Sequence, residues 1–182
     1  MIQTVKARAF TITVLTMAVL VAVGIYLSFI APKQLEMGLS VDHAYTSVDE
    51  MKKAADLIVE GTALSQKTVD YEGVLFTTSV LQVDHVLKGK LKKKEIAILE
   101  TGGFDGKNHL TMEENRVMDP SRRYILFLEK YKGPVAKDAY VITGAYQGKF
   151  AVDGQRVEAP KQVNPKIETI DSKQALIQHI SR

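Results

Sequence analysis

Hydrophobic positions follow three different patterns along this chain, and the first is an unbroken apolar run. Residues 9–31 contain no charged side chain, and Lys6 and Arg8 precede them. As a helix this run would extend roughly 35 Å, enough to cross a hydrocarbon core of about 30 Å. A helix in a globular core is rarely apolar on every face over such a length. The pattern therefore predicts one N-terminal transmembrane helix.

A cleaved signal peptide is the alternative interpretation of the same run. The apolar region of a signal peptide usually covers about 7–15 residues and ends at a small-x-small site. Here the run is longer, and a cleavage site after Ala31 would have Phe29 at its −3 position and Pro32 directly after it. An uncleaved anchor is therefore favoured. The positive-inside tendency then places Lys6 and Arg8 in the cytoplasm and the rest of the chain outside it, at the cell membrane.

The second pattern mixes polar and apolar residues over 32–46, and we interpret it as a linker that spans on the order of 20 Å as a coil. Ser47 and Glu50 then have the spacing of a capping box and predict a short helix. Ser172 precedes apolar residues at helical spacing and predicts a short closing helix. The expected organisation is a cytoplasmic tail at 1–8, an anchor at 9–31, a linker at 32–46, a β-domain at 47–160, and a C-terminal tail with a short helix at 161–182.

From residue 56 onward apolar positions recur with a period of two, which predicts β-strands. Residues 124–128 are all apolar, so both faces of that strand are apolar and we expect it to be buried on both. The alternation slips near residues 80–83, which indicates a β-bulge. Asp153-Gly154 is a favourable hairpin turn. Several short strands, one long strand and little helix predict a mainly β fold, a small five-stranded OB-like barrel with short flanking helices, because closure removes exposed sheet edges.

Composition narrows the possible functions. The chain carries 24 basic and 21 acidic residues, and without Lys6 and Arg8 the balance is 22 to 21. So small an excess does not predict a field that attracts nucleic acid. The absence of cysteine excludes disulfides, thiol catalysis, Fe–S clusters and cysteine-zinc sites. No cofactor and no metal site are predicted.

The strand pattern over residues 54–152 resembles the netrin-like domain shared with tissue inhibitors of metalloproteinases, as found in uncharacterised bacterial membrane-anchored surface proteins. The matching features are an Asp before the first strand, a Gly within it, a Lys-Gly pair after the long strand, a Thr ending the next strand, and a Tyr-led apolar strand. In this sequence they are Asp56, Gly61, Lys88-Gly89, Thr101 and 124–128.

This resemblance implies a five-stranded OB-like barrel. It does not imply metalloproteinase inhibition, because inhibition in that family depends on a free N-terminal cysteine and this chain has none. The glycine that precedes the Tyr-led strand in the family is replaced here by DPSRR at residues 119–123.

A lysine-rich stretch separates two predicted strands, and it is the first candidate binding site. Its members are Lys88, Lys90, Lys92, Lys93 and Lys94. One interpretation is a solvated hairpin tip, in which Gly89 supplies a positive φ and lysines discourage edge pairing. The other is a contact with anionic lipid headgroups or an anionic wall polymer, where each lysine could contribute about 1 kcal/mol.

The long segment at residues 100–120 is the second candidate, as an edge that binds an unknown protein partner. It contains three glycines together with Asp105 and His109. No phosphate-loop or calcium-loop spacing occurs in it, and a flexible loop is the favoured interpretation.

These features favour a membrane-anchored extracytoplasmic binding or interaction module without enzymatic activity. One alternative is an enzyme that acts on an envelope substrate through the 102–120 loop, with His109, Asp105 and Glu113 in one cleft. Another is a structural accessory subunit of a membrane complex, held through the helix at 9–31.

Overall fold

A computed structural model describes residues 16–28, 32–37, 41 and 43–182. The chain forms two compact units, Met1–Lys33 and Gln34–Arg182. In the first unit, residues 16–28 are helical (α1) and their side chains are exposed. Residues 9–15 and 29–31 of the predicted anchor lie outside the described residues. Within the described ranges, no helix combines the length and the apolar character needed to cross a bilayer.

The second unit is mainly β, which confirms the predicted class. Its strands and helices follow one another in the order β1 (Gln34–Glu36), α2 (Val48–Ala54), β2 (Leu57–Tyr71), β3 (Val74–Lys88), β4 (Glu95–Thr101), β5 (Gly103–Phe104), β6 (His109–Thr111), β7 (Arg123–Lys130), β8 (Ala139–Ile142), β9 (Lys149–Asp153), β10 (Arg156–Glu158), α3 (Pro165–Glu168) and α4 (Lys173–Ser181).

Five of these strands form a closed ring of pairings. β2 pairs antiparallel with β3 and with β7, and β3 pairs antiparallel with β4. β4 pairs parallel with β8, and β8 returns antiparallel to β7. β9 extends the sheet from β7, and β10 pairs with β9. A second, three-stranded sheet has the order β1-β6-β5.

Two hydrophobic clusters explain why this ring forms. The ring core draws residues from all five ring strands, such as Val59, Leu81, Ile98, Leu126 and Ile142. The helix-side core joins the opposite faces of β2 and β7 to β9, β10 and all three helices of the unit. The residues of β7 from 124 to 128 are all buried and alternate between the two clusters, so the prediction of a strand buried on both faces is confirmed.

Local signals in the sequence also have the expected structural outcome. The β2–β3 register shifts at three places, two of them opposite residues 80–85, which confirms the predicted irregularity. The hairpin between β9 and β10 turns at Gly154, whose φ is +58°. The Ser47 hydroxyl accepts from the Glu50 N–H at 3.3 Å, and Ser172 caps α4 in the same way.

Three segments differ from the expectations. Within the predicted linker, β1 pairs in parallel with β6, and Met37 N–H continues the ladder to Thr111 O at 2.8 Å. The predicted loop at 100–120 contains β5 and β6. The predicted C-terminal tail buries Ile167, Leu176 and Ile180 in the helix-side core. The compact unit spans Gln34–Arg182. The strands β1, β5 and β6 each have three residues or fewer, which is too short for hydrophobic periodicity to reveal.

Candidate functional site

Two strand connections meet at one end of the ring and form a lysine-rich groove. β3 and β7 end there, and β4 and β8 begin there, so residues 89–94 and 131–138 lie at the same end. The groove between them has a volume of about 410 Å³. Five of its lining residues are lysines, namely Lys90, Lys92, Lys93, Lys130 and Lys137. We call this site the lysine groove.

The floor of the lysine groove is apolar and belongs to the ring. Ile96 is buried, and Leu91 and Tyr140 pack partly buried against the ring core. Lysine side chains cover apolar surface with their methylene stems while the ammonium groups stay in water. The ring therefore gives the lysines a rigid support and leaves their charges exposed.

Charge is concentrated at this end of the molecule. Residues 88–95 and 129–138 hold eight lysines and three carboxylates, whereas residues 34–182 as a whole hold 21 basic and 21 acidic side chains. Among the described residues, no side-chain hydrogen bond or ion pair engages the ammonium groups of Lys90, Lys92, Lys93, Lys94, Lys130, Lys132 and Lys137. This end thus has five more positive than negative side chains, on a domain that is neutral overall.

Lys88 is placed differently from the other lysines of the same stretch. Its Nζ donates to the carbonyl oxygens of Lys52 at 2.5 Å and Ala55 at 2.6 Å, at the end of α2. A cation at this position satisfies free carbonyls and interacts favourably with the helix dipole. Gly89 has a φ of +89°, and a Cβ there would lie 2.7 Å from Asp56 O. The Lys-Gly pair therefore docks α2 onto the end of β3.

Asp105 and His109, the other candidate residues, support the connection between β5 and β6. One carboxylate oxygen of Asp105 accepts from the N–H groups of Asn108 at 2.6 Å and Lys107 at 2.7 Å, and these bonds hold the pKa of that carboxyl below its usual range. The His109 ring lies 5.0 Å from the ring of Phe104, centroid to centroid. Within residues 43–182, no hydrogen bond or ion pair joins the side chains of Asp105, His109 and Glu113.

The glycines of this segment serve close packing. The Thr77 hydroxyl donates to Gly102 O at 2.8 Å. Gly103 has a φ of +134°, and a Cβ there would overlap Thr77 Oγ1. The backbone of residues 102–103 therefore lies directly on β3, which only glycine permits.

The opposite end of the ring contains a different kind of site, which the sequence did not reveal. Lys149 Nζ lies 2.7 Å from Glu100 Oε1, with side-chain exposures of 10% and 3%. Glu100 also accepts from Met118 N–H at 3.0 Å, and Lys149 also donates to Arg116 O. We call the cavity of about 260 Å³ beside this pair the paired-charge groove.

A second cation that lines the paired-charge groove, Arg122, is also neutralised locally. Arg122 forms an ion pair with Glu158 at 2.6 Å, and its guanidinium lies 6.0 Å from the centroid of the Tyr124 ring. Burial raises the pKa of Tyr124 to about 12, and its hydroxyl oxygen accepts from Asp119 N–H at 2.7 Å.

A second nearly buried carboxylate shows why the sequence could not indicate these pairs. Glu60 is 2% exposed and lies 2.6 Å from Lys173 Nζ, in α4. The partners are 113 positions apart in the chain. The one signal in the sequence is that Glu60 is an acidic residue within an apolar strand, which indicates that a cation lies close to it.

The described residues contain no group of three or more His, Asp or Glu side chains arranged to hold a metal ion. Comparison with known protein families finds no match to this chain, and comparison with curated proteins finds none either.

Proposed function

We propose that this chain is a membrane-anchored, extracytoplasmic binding module that recognises anionic groups through its lysine groove. The observation that carries the proposal is the set of seven lysines without a side-chain partner among the described residues. Five of them line a groove whose apolar floor is built from the ring. The anionic groups of a ligand would pair with these lysines, as carboxylates of the protein pair with Lys149 and Lys173 elsewhere in the domain.

The ring of strands supports an OB-like barrel of the kind that the netrin-like resemblance implies. Five strands return on themselves, with four antiparallel contacts and one parallel contact between β4 and β8. OB-like barrels bind ligands on exposed strand faces and connecting loops. The lysine groove is formed by two such connections.

The anchor and its orientation rest on the uncharged run at 9–31 and on the two cations before it. The absence of cysteine allows a direct test of topology. A single cysteine introduced as Lys107→Cys should react with a membrane-impermeant maleimide on intact cells, whereas Arg8→Cys should react only after lysis. The opposite pattern of labelling would refute the orientation. Mass spectrometry of the mature N-terminus distinguishes an anchor from a cleaved signal peptide.

Binding can be tested with the full chain in phosphatidylcholine nanodiscs and fluorescent polyphosphate as the probe. The triple variant Lys92→Gln/Lys93→Gln/Lys137→Gln should bind roughly 100-fold more weakly, because each lysine contributes about 1 kcal/mol. A matched control, Lys53→Gln/Lys107→Gln/Lys166→Gln, removes the same charge elsewhere.

The control should retain binding within about twofold, since its lysines lie outside the groove. Equal losses in the two triple variants would show a response to net charge alone and would reject the groove as the site. Binding of the wild-type chain that is undetectable at low salt would reject the proposed function as a whole.

The enzyme alternative depends on His109, Asp105 and Glu113 acting together. Asp105 is engaged with backbone N–H groups and His109 with Phe104, so no contact in the described residues favours it. We therefore propose the binding function alone.

A further inference from the structure

We infer that the ligand of the lysine groove is an extended polyanion, a chain of phosphate or carboxylate groups, rather than the surface of the membrane that holds the protein. This inference rests on the proposed function and concerns the partner of the same site. Two features of the second unit carry it. One is the number and spread of the free lysines, and the other is the place where the chain enters the unit.

The lysines are more numerous than a single anionic group can engage. A phosphate or carboxylate binds a few donors at once, whereas seven ammonium groups without a partner in the described residues are spread over two connections and the end of β7. Like charges that line one groove repel one another, and water and salt screen that repulsion only in part. A ligand with several linked anions would relieve the repulsion along the whole groove.

The chain enters the second unit at the opposite end of β4 from the lysine groove. Gln34 pairs with His109 in β6, and β6 pairs with β5. β5 follows the carboxyl end of β4, whereas the lysines precede its amino end. β4 has seven residues, and its length is therefore about 20 Å.

The first residues of the unit are fixed at that position by side-chain contacts. The Glu36 carboxylate accepts from Thr111 Oγ1 at 3.0 Å, from Glu114 N–H at 3.1 Å and from Glu113 N–H. Both Glu113 and Glu114 have positive φ, and successive N–H groups in such a turn form a concave anion site. Glu36 fills this site and thereby clamps β1 to β6.

Two residues, Pro32 and Lys33, separate the apolar run at 9–31 from Gln34. They reach at most about 7 Å. An anchored chain would thus be attached to its domain at β1, about 20 Å along β4 from the lysines. The Debye length is about 8 Å at physiological salt, so a charge at the point of attachment would be largely screened over that length of β4. A polyanion in solution can contact the lysine groove directly, so this screening does not limit its binding.

The test compares lysine acetylation rates in the full chain, reconstituted in vesicles of pure phosphatidylcholine or of phosphatidylcholine with phosphatidylglycerol. Each preparation is measured alone, with long-chain polyphosphate, and with monophosphate at the same total phosphate. Mass spectrometry measures the acetylation rates of Lys92, Lys93 and Lys137, with Lys107 and Lys166 as exposed controls.

We expect polyphosphate to slow acetylation of the three groove lysines about fivefold in both kinds of vesicle. We expect monophosphate and anionic lipid to slow it less than twofold, and the control lysines to be unaffected. Protection by phosphatidylglycerol without polyphosphate would overturn the inference and retain the anion-binding function, with the membrane as its source. Equal protection by monophosphate would overturn the extended ligand. Absence of protection by every anion would overturn the proposed function itself.

Discussion

At one end of the ring, seven lysines are without an ionic partner among the described residues, whereas at the other end Lys149 lies 2.7 Å from Glu100 and both side chains are nearly buried. Removing a charge from water is so unfavourable that a buried cation needs a carboxylate close by. An exposed cation is solvated and needs none. The paired charges are therefore part of the folded core, and the free lysines are surplus to folding and available for binding.

Removing one member of the buried ion pair should have the largest effect on stability. Lys149→Met leaves the Glu100 carboxylate buried without its cation and should destabilise the fold by about 3–5 kcal/mol. Lys161→Met removes an exposed partner of Glu114 and should change stability by less than about 0.5 kcal/mol. Urea unfolding followed by circular dichroism gives both values. Equal effects would show that burial does not separate the two kinds of lysine.

A glycine near the paired-charge end should have the next largest effect. Gly103→Ala introduces a Cβ that overlaps Thr77 Oγ1 and also requires a positive φ, so we expect a loss of about 2–3 kcal/mol. Gly106 has a positive φ as well but open space around it, and Gly106→Ala should lose about 1 kcal/mol. Thermal unfolding of the two variants measures the difference. A smaller loss at Gly103 than at Gly106 would contradict close packing of residues 102–103 on β3.

Substitution of Lys88 tests whether this lysine stabilises the fold while the other lysines of the stretch do not. Lys88→Met removes two charged hydrogen bonds to the end of α2 and should destabilise the fold by about 2 kcal/mol. Polyphosphate binding should stay within about twofold of wild type. Unchanged stability together with a large loss of binding would place Lys88 in the groove instead.

The free lysines should show the reverse behaviour. Lys92→Gln/Lys93→Gln should leave the free energy of unfolding within about 0.5 kcal/mol of wild type, or raise it slightly by relieving repulsion. Affinity for polyphosphate should fall about 30-fold, and its salt dependence should become shallower. A stability loss above about 1 kcal/mol would mean that these side chains have partners in the fold.

Alkaline pH provides the most local test. Burial raises the pKa of Tyr124 from an ordinary value of 10 to about 12, so between these pH values the folded state holds a proton that the unfolded state has released. Stability should therefore fall as pH rises from 10 to 12. Absorbance at 295 nm should show one tyrosine ionising near pH 12. Loss of that component in Tyr124→Phe assigns it, and its persistence would assign it to another tyrosine.

Strands and caps could be predicted because they depend on near neighbours. Leu57 and Val59 belong to the ring core and Ile58 to the helix-side core, as the period of two from residue 56 onward predicts. Ser47 and Ser172 accept from N–H groups three residues onward. The partners of Glu60 and Glu100 could not be predicted, since they are 113 and 49 positions away.

By itself, the sequence determined the mainly β class, the course of the main strands, and the concentration of lysines between β3 and β4, because each depends on residue type and short-range spacing. Tertiary structure alone decided that Lys88 caps α2, that Lys130 and Lys137 join the lysines of the β3–β4 connection, and that β1 pairs with β6. The physical reason is that these contacts join segments distant in the chain. They form only once ring closure and the two hydrophobic cores have brought those segments together.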